Sequence, residues 1–422
     1  IPDGSIAFGS ATDGSLLAVF PARGDWNGSA YWEDHSLASF VSGRALPGGM
    51  TQRREEVARI LEPVVGPVIH NATRGLFVQP NARRYGGFLE EWGAIYERFG
   101  VPAEIGLAQA LIESGFHPTI RSEARALGFC QWLESNWNRM KRLAPNEIEG
   151  HNQTTQAAYC AAYLTILAAK YDSFIPALSE HHAGGTNVGR VVITGERLGG
   201  LDPREQYFLG SEFSLDLREI SNGRYRELVR TYGPRSYRYA EMVFGNVETV
   251  IGIRSSMPQE KIYAMRAPRS ISIEEVARVS GLSMDEVRRY NPALIRQVPR
   301  SANVYLPHYV EAFGEDVSFW HRPADPAFAA VLNEFIGMGA TPEEWESPAF
   351  ESVLQQYRRA FLDTGTEEGA VMATVISFVI EESYRNSRPA ILHEFRTSDQ
   401  IIRLFEQGVR ERESFRSPLA SR

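Results

Sequence analysis

An apolar helical period, cut twice, restricts the fold of this chain most. Phe88, Trp92, Ile95, Tyr96 and Phe99 recur at the spacing of one helix face, and Gly100-Val101-Pro102 ends that helix. A second helix is expected from about Ala103 to Ser114, stopped by Gly115. Its end carries Glu113, directly after Ile112. A carboxylate there meets the negative end of the helix dipole, and apolar neighbours desolvate it. Both effects favour the protonated acid, which suits a general acid. A helix-end glutamate also reads as an ordinary side chain pointing to solvent.

The helical reading continues along most of the chain. Helices are expected at 52–62, 155–171, 175–183, 216–231 and 235–244, the second with Tyr159, Ala162, Tyr163 and Ile166 on one face. Residues 1–50 are rich in Gly, Ser, Asp and Pro with scattered aromatics such as Trp26 and Trp32, and read as an irregular arm. The segment 262–308 changes character. "IYAMR" and "ANVYLP" read as strands, and between them Ser272 with Glu275 and Ser283 with Glu286 form capping boxes for two short helices. Residues 326–412 return to helix, with capping boxes at Thr341–Glu344 and Thr397–Gln400.

Composition excludes several function classes. Hydrophobic residues are 43% and charged residues 23%, enough for ordinary cores. The net charge of -8 offers no basic surface, so no nucleic-acid partner is expected. No apolar run approaches the ~20 residues that span a bilayer; "AVMATVISFVI" at 370–380 reads as a core helix. No signal peptide is visible, and a chain opening Ile1-Pro2 reads as a mature or trimmed form. Two cysteines, Cys130 and Cys160, make neither a disulfide scaffold nor a zinc framework. His151, His181 and His182 show no metal-ligand spacing, so no metal and no cofactor are expected.

The run "ESGFHPTIRSEARALGFCQW" resembles the soluble lytic transglycosylase domain. That family reads Glu-Ser-x-Phe, then Ser-x-Ala-x-Ala-x-Gly, two residues and Gln. Glu113, Ser114, Phe116, Pro118, Ser122, Ala124, Ala126, Gly128 and Gln131 match without a gap. "ALSEHHAGG" at 177–185 stands where the family has Ala-Leu-Ala-Ala-Tyr-Asn-Ala-Gly, and "SYRYAEMVF" at 236–244 looks like its late tyrosine motif. The resemblance implies a goose-lysozyme-like helical domain that cleaves peptidoglycan glycan strands with one acid. Glu113 would protonate the oxygen between N-acetylmuramic acid and N-acetylglucosamine. It would then act as base on the muramic C6 hydroxyl, leaving a 1,6-anhydro end. Ser114, Ser122 and Gln131 would line the groove, Gly128 would let the backbone approach it, and Tyr239 (Tyr237 as the fallback) would orient near Glu113. His181 and His182 replace the family's Tyr-Asn as sugar contacts. Glu180 replaces an alanine: it makes a structural ion pair, or it activates water and the enzyme is a hydrolytic muramidase. Cys160 falls on the helix that packs behind the turn holding Cys130 in relatives, so the pair forms a disulfide or stays as two buried thiols.

"GLSMDEVRRYNPAL" and "VYLP" resemble the LysM family, a βααβ module that binds N-acetylglucosamine-containing glycans. "APRSIS" stands in place of its usual Gly-Asp-Thr loop, so the module either binds glycan weakly or serves as a packing spacer. The expected layout is mainly α. It comprises an arm at 1–85, a lysozyme-like catalytic domain at 86–255, a LysM-like module at 256–312 and a helical region at 313–422. That last region is a candidate for a cell-envelope protein partner. "VIEESYRNS" at 379–387 echoes the Glu-Ser motif but lacks the Gly-x-x-Gln that should follow. The resemblance places the chain in the periplasm or at the outer membrane of a Gram-negative bacterium, or on a phage particle. A non-catalytic wall-binding scaffold is the third reading, with the histidine pair spoiling the site.

Overall fold

The computed structural model describes residues 5–10, 16–21, 31–32, 35–36, 46–48, 50–65, 68–72, 75–122, 125–220, 239–345 and 347–385. The chain is mainly α with small sheets, as the sequence suggests. Its contacts divide it into two compact units. One comprises Ile1–Ala162, Glu241–Ala329 and Leu362–Val375; the other comprises Tyr163–Ala240, Ala330–Phe361 and Ile376–Arg422.

In the first unit the described N-terminal residues include regular strands where composition suggests an irregular arm. Ser5–Ser10 is the central strand of a three-stranded antiparallel sheet, flanked by Leu16–Pro21 and Val68–Ala72. Ile6 pairs with Phe20 on one side and Ala72 on the other. A helix, Met50–Val65, separates the second and third strands in sequence. The expected helix face at 88–99 forms Leu89–Arg98, led by a 3-10 turn at Gly86–Phe88. Phe88, Trp92, Ile95, Tyr96 and Phe99 are all buried. The next helix is Ala103–Ser114, and the chain then runs through a loop into Glu134–Leu143 and Gln153–Tyr171.

The strand–helix–helix–strand order is present at Tyr263–Arg266, Ile273–Ser280, Met284–Tyr290 and Asn303–Leu306. Ser283 and Glu286 make the full capping box. At Ser272 only half forms: its hydroxyl accepts from Glu275 N–H at 3.1 Å, but the Glu275 carboxylate is taken by Arg269. Strand alternation gives the sheet two faces. Met265, Val304 and Leu306 join Ile273, Val276 and Val287 in the module core. Ala264, Arg266, Asn303 and Tyr305 face the other way and, with Glu149 and Tyr159, line a cavity of about 60 Å³. The sheet passes the expected module end at 312, since Glu315–Asp316 pairs with Tyr263–Arg266 as a third strand.

In the second unit, Phe174–Ala183 is the expected helix. Gly185–Arg197 and the start of Pro203–Ile220 are helical although the sequence did not suggest it. Glycines lower helix propensity, but Gly195 serves packing. A Cβ at Gly195 would come 1.7 Å from the Gln206 carbonyl oxygen, so only glycine lets these helices approach so closely. Of the late helices, Tyr239–Phe244 is present, and the stretch 221–238 lies outside the described residues, as does the Thr397–Gln400 box. Thr341 and Glu344 do make their reciprocal cap. Phe335, Trp345, Phe350 and Phe361 form an aromatic cluster. The apolar run at 370–380 is part of the helix Glu367–Arg385. Among the described residues no helix is long and apolar enough to cross a membrane.

Candidate active site

Helix Ala103–Ser114 places Glu113 at its penultimate position, half-buried. The helix ends because Gly115 adopts a left-handed conformation, φ 59°, and returns its N–H to Leu111 O at 2.9 Å. Phe116 follows at φ 66°, so two left-handed residues in succession reverse the chain directly after the acid. Such a backbone is uncommon for a bulky residue and needs support. Burial of the Phe116 ring supplies it: the ring lies 6.2 Å from both Trp92 and Phe129, which meet edge-on at 4.9 Å.

The loop beyond Phe116 is held by its own polar side chains. Ser114 is buried, and its hydroxyl bonds Ala110 O and Phe129 O, both at 3.1 Å, tying the helix end to the loop. The Ser122 hydroxyl, exposed, accepts from Ala126 N–H at 3.0 Å. The Gln131 amide donates to Ile120 O and Gly128 O at 3.2 and 3.0 Å. Ala126–Leu127 pairs with Trp132–Leu133 as a small ribbon.

The back of the loop is fixed to helix Gln153–Tyr171. Gln153 Nε2 donates to Phe116 O at 3.1 Å, and Cys130 N–H donates to Gln156 Oε1 at 3.1 Å. Cys130 is disulfide-bonded to Cys160. Of these helix positions the sequence pointed to Cys160 but not to Gln153 or Gln156. The signal was the polar run "NQTTQ" at 152–156, opening an otherwise apolar helix. Gly128 also takes a different meaning here. With φ 63°, a Cβ there would stand 2.4 Å from Gln156 Nε2 and 2.5 Å from Pro118 O. The glycine is therefore required by packing inside the protein, not by approach to a groove.

The remaining site candidates belong to the second unit. Glu180 is buried, with Lys170 Nζ at 3.1 Å and a hydrogen bond from the Tyr171 hydroxyl. His181 has its ring 6.0 Å from that of Tyr163. His182 stacks on Tyr239 with ring centroids 4.3 Å apart and planes within 6°. Two residues 57 positions apart in sequence thus share one contact. Tyr237 lies outside the described residues.

No curated protein matches the chain. Residues 90–196 match the family model of the Transglycosylase SLT domain. That span holds Glu113, Ser114, Ser122, Gln131 and Glu180–His182 and leaves Tyr239 outside it. The mostly helical architecture is consistent with the lysozyme-like fold of such a domain. Residues 90–196 are thus similar to the transglycosylase SLT domain, a family of the lytic-transglycosylase type that degrades peptidoglycan.

Proposed function

We propose that the chain is a lytic murein transglycosylase that cleaves the β-1,4 bond between N-acetylmuramic acid and N-acetylglucosamine, leaving a 1,6-anhydromuramic end. The carrying observation is the position of Glu113: half-buried, one residue before the helix end, directly followed by a loop that is bonded from behind. Glu113 protonates the glycosidic oxygen and then takes the proton of the muramic C6 hydroxyl, whose oxygen closes on C1. No water enters, so no second carboxylate is needed. Ser122 can give its hydroxyl hydrogen to a sugar oxygen while its lone pair holds Ala126 N–H. Gln131 shapes the groove wall through its bonds to the loop. The stacked pair of His182 and Tyr239 supplies a flat polar edge of the kind that sugars bind.

The muramidase reading asks Glu180 to activate water. Its bonds to Lys170 and Tyr171 support a structural role instead. A disulfide in the loop that follows the acid fits an oxidising compartment, and we place the protein in the Gram-negative periplasm or at its outer membrane. The βααβ segment is read as LysM-like, and the order of modules resembles membrane-bound lytic murein transglycosylase D. Glu113→Gln tests the proposal. The variant should clear purified sacculi at least ~1,000-fold more slowly with its fold intact, since it removes the group that moves both protons. A variant that clears as fast as an active wild type sinks it, and a wild type and variant that both clear nothing favour a non-catalytic scaffold.

A further inference from the structure

We infer that the βααβ module is a brace for the loop behind Glu113, acting through the first turn of helix Gln153–Tyr171. The side chains from Glu149 to Cys160, in and around that turn, divide between two partners. Gln153, Gln156 and Cys160, at three- and four-residue spacing, hold the loop through Phe116 O, Cys130 N–H and the disulfide. Glu149, Asn152 and Thr155 hold the module. Asn152 Nδ2 donates to Tyr290 O at 2.8 Å, and its Oδ1 caps the helix by accepting from Thr154 and Thr155 N–H at 2.9 and 3.2 Å. The Thr155 and Tyr305 hydroxyls are bonded to each other. Glu149 accepts from the Thr155 hydroxyl at 2.8 Å and from Asn303 N–H.

Inside the module, Tyr305 is itself fixed. Its N–H donates to Asn291 Oδ1 at 2.8 Å, and its carbonyl accepts from Asn291 Nδ2 at 2.6 Å. Asn152, Gln153, Thr155, Gln156, Asn291 and Tyr305 are all buried. A buried polar network is costly when half-made and stiff when complete. The shared helix turn therefore cannot shift toward solvent without breaking bonds on both sides. A module that served only to bind glycan would not need its sheet face bonded into the turn that carries the catalytic loop. Asn152 and Tyr305 are positioning residues: they act on Glu113 only through Gln153, Gln156 and the loop.

The test compares the full, disulfide-bonded chain with Tyr305→Phe and Asn152→Asp. The second keeps an oxygen for the helix cap and turns the donor to Tyr290 O into a carboxylate oxygen that repels it. Asp285→Asn is the control, since it breaks the exposed Arg84–Asp285 bridge to the same module away from the shared turn. Hydrogen exchange is read at amides 116–131, with helix Leu89–Arg98 as internal reference, and kcat and KM are measured on sacculi. Both variants should speed exchange in the loop about tenfold with the reference helix unchanged, because local opening there loses its support. They should lower kcat roughly tenfold with KM within about twofold, since misplacing the acid costs rate more than binding. The control should change neither. Loop exchange equal to wild type in both variants, or a rise equal to that of the reference helix, overturns the brace. The kinetic arm rests on Glu113 being the acid; the exchange arm does not. An inactive wild type therefore rejects the proposed function while exchange still decides the brace.

Discussion

Glu91 and Glu149 are both buried carboxylates, yet their surroundings push them in opposite directions. Burial raises Glu149 to about 7, against the pull of Asn303 N–H and the Thr155 hydroxyl. At Glu91 burial also raises, but hydrogen bonds from His321, Lys261, Ile262 N–H and Trp320 outweigh it and hold the acid at about 2. The consequences for stability have opposite signs. Between about 4.5 and 7 the folded chain keeps a proton on Glu149 that the unfolded chain releases, so stability falls as pH rises through that window. Below about 4.5 the unfolded chain takes up a proton that folded Glu91 refuses, so stability falls as pH drops toward 2. Glu149→Gln keeps one acceptor for Asn303 N–H and offers an amide donor to the Thr155 or Tyr305 oxygen. Urea unfolding of this variant should lose the decline between pH 4.5 and 7, on the order of 3 kcal/mol in the wild type. An unchanged decline would show that another group carries it.

The loop from Gly115 to Leu133 is the element on which the site depends, and little regular secondary structure supports it. The ribbon Ala126–Leu127 with Trp132–Leu133 is two residues long, and Phe116, Arg125 and Gln131 all carry positive φ. Its order comes from cross-links instead. Replacing Cys130 and Cys160 with serine opens a link across a sequence separation of 30 and should cost about 3 to 4 kcal/mol in urea unfolding, with a comparable loss of activity on sacculi. Unfolding and activity both equal to wild type would contradict this account of the loop. Much of this element was legible in the sequence because its signals are local. The Gly115 cap, the helix ending in Glu113 and the aromatic face of Trp92 follow from spacing alone. What holds the loop was not legible, since Gln153 and Gln156 reach it across more than 20 residues. The N-terminal sheet was missed for the same reason: Ile6 pairs with Ala72, and no local pattern announces such a partner. Helix Gly185–Arg197 was hidden by its glycines, of which Gly195 finds its reason only beside Gln206.

Across the whole molecule, the two candidate carboxylates differ in setting: Glu113 stands near a helix end and Glu180 is tied into an ion pair. Glu180 has Lys170 and Tyr171 as neighbours in a buried setting, where breaking a charge pair is costly. The βααβ segment is bonded to the start of helix Gln153–Tyr171 through Asn152, Thr155 and Glu149, beyond what its sequence resemblance implied. The central claim is that one carboxylate, Glu113, performs both proton transfers and that no water is consumed. Mass spectrometry of the muropeptides released from purified sacculi tests it most directly, with Glu180→Gln measured beside the wild type. The account predicts 1,6-anhydromuramic ends from both proteins; reducing ends from the wild type, replaced by no product in Glu180→Gln, would contradict it.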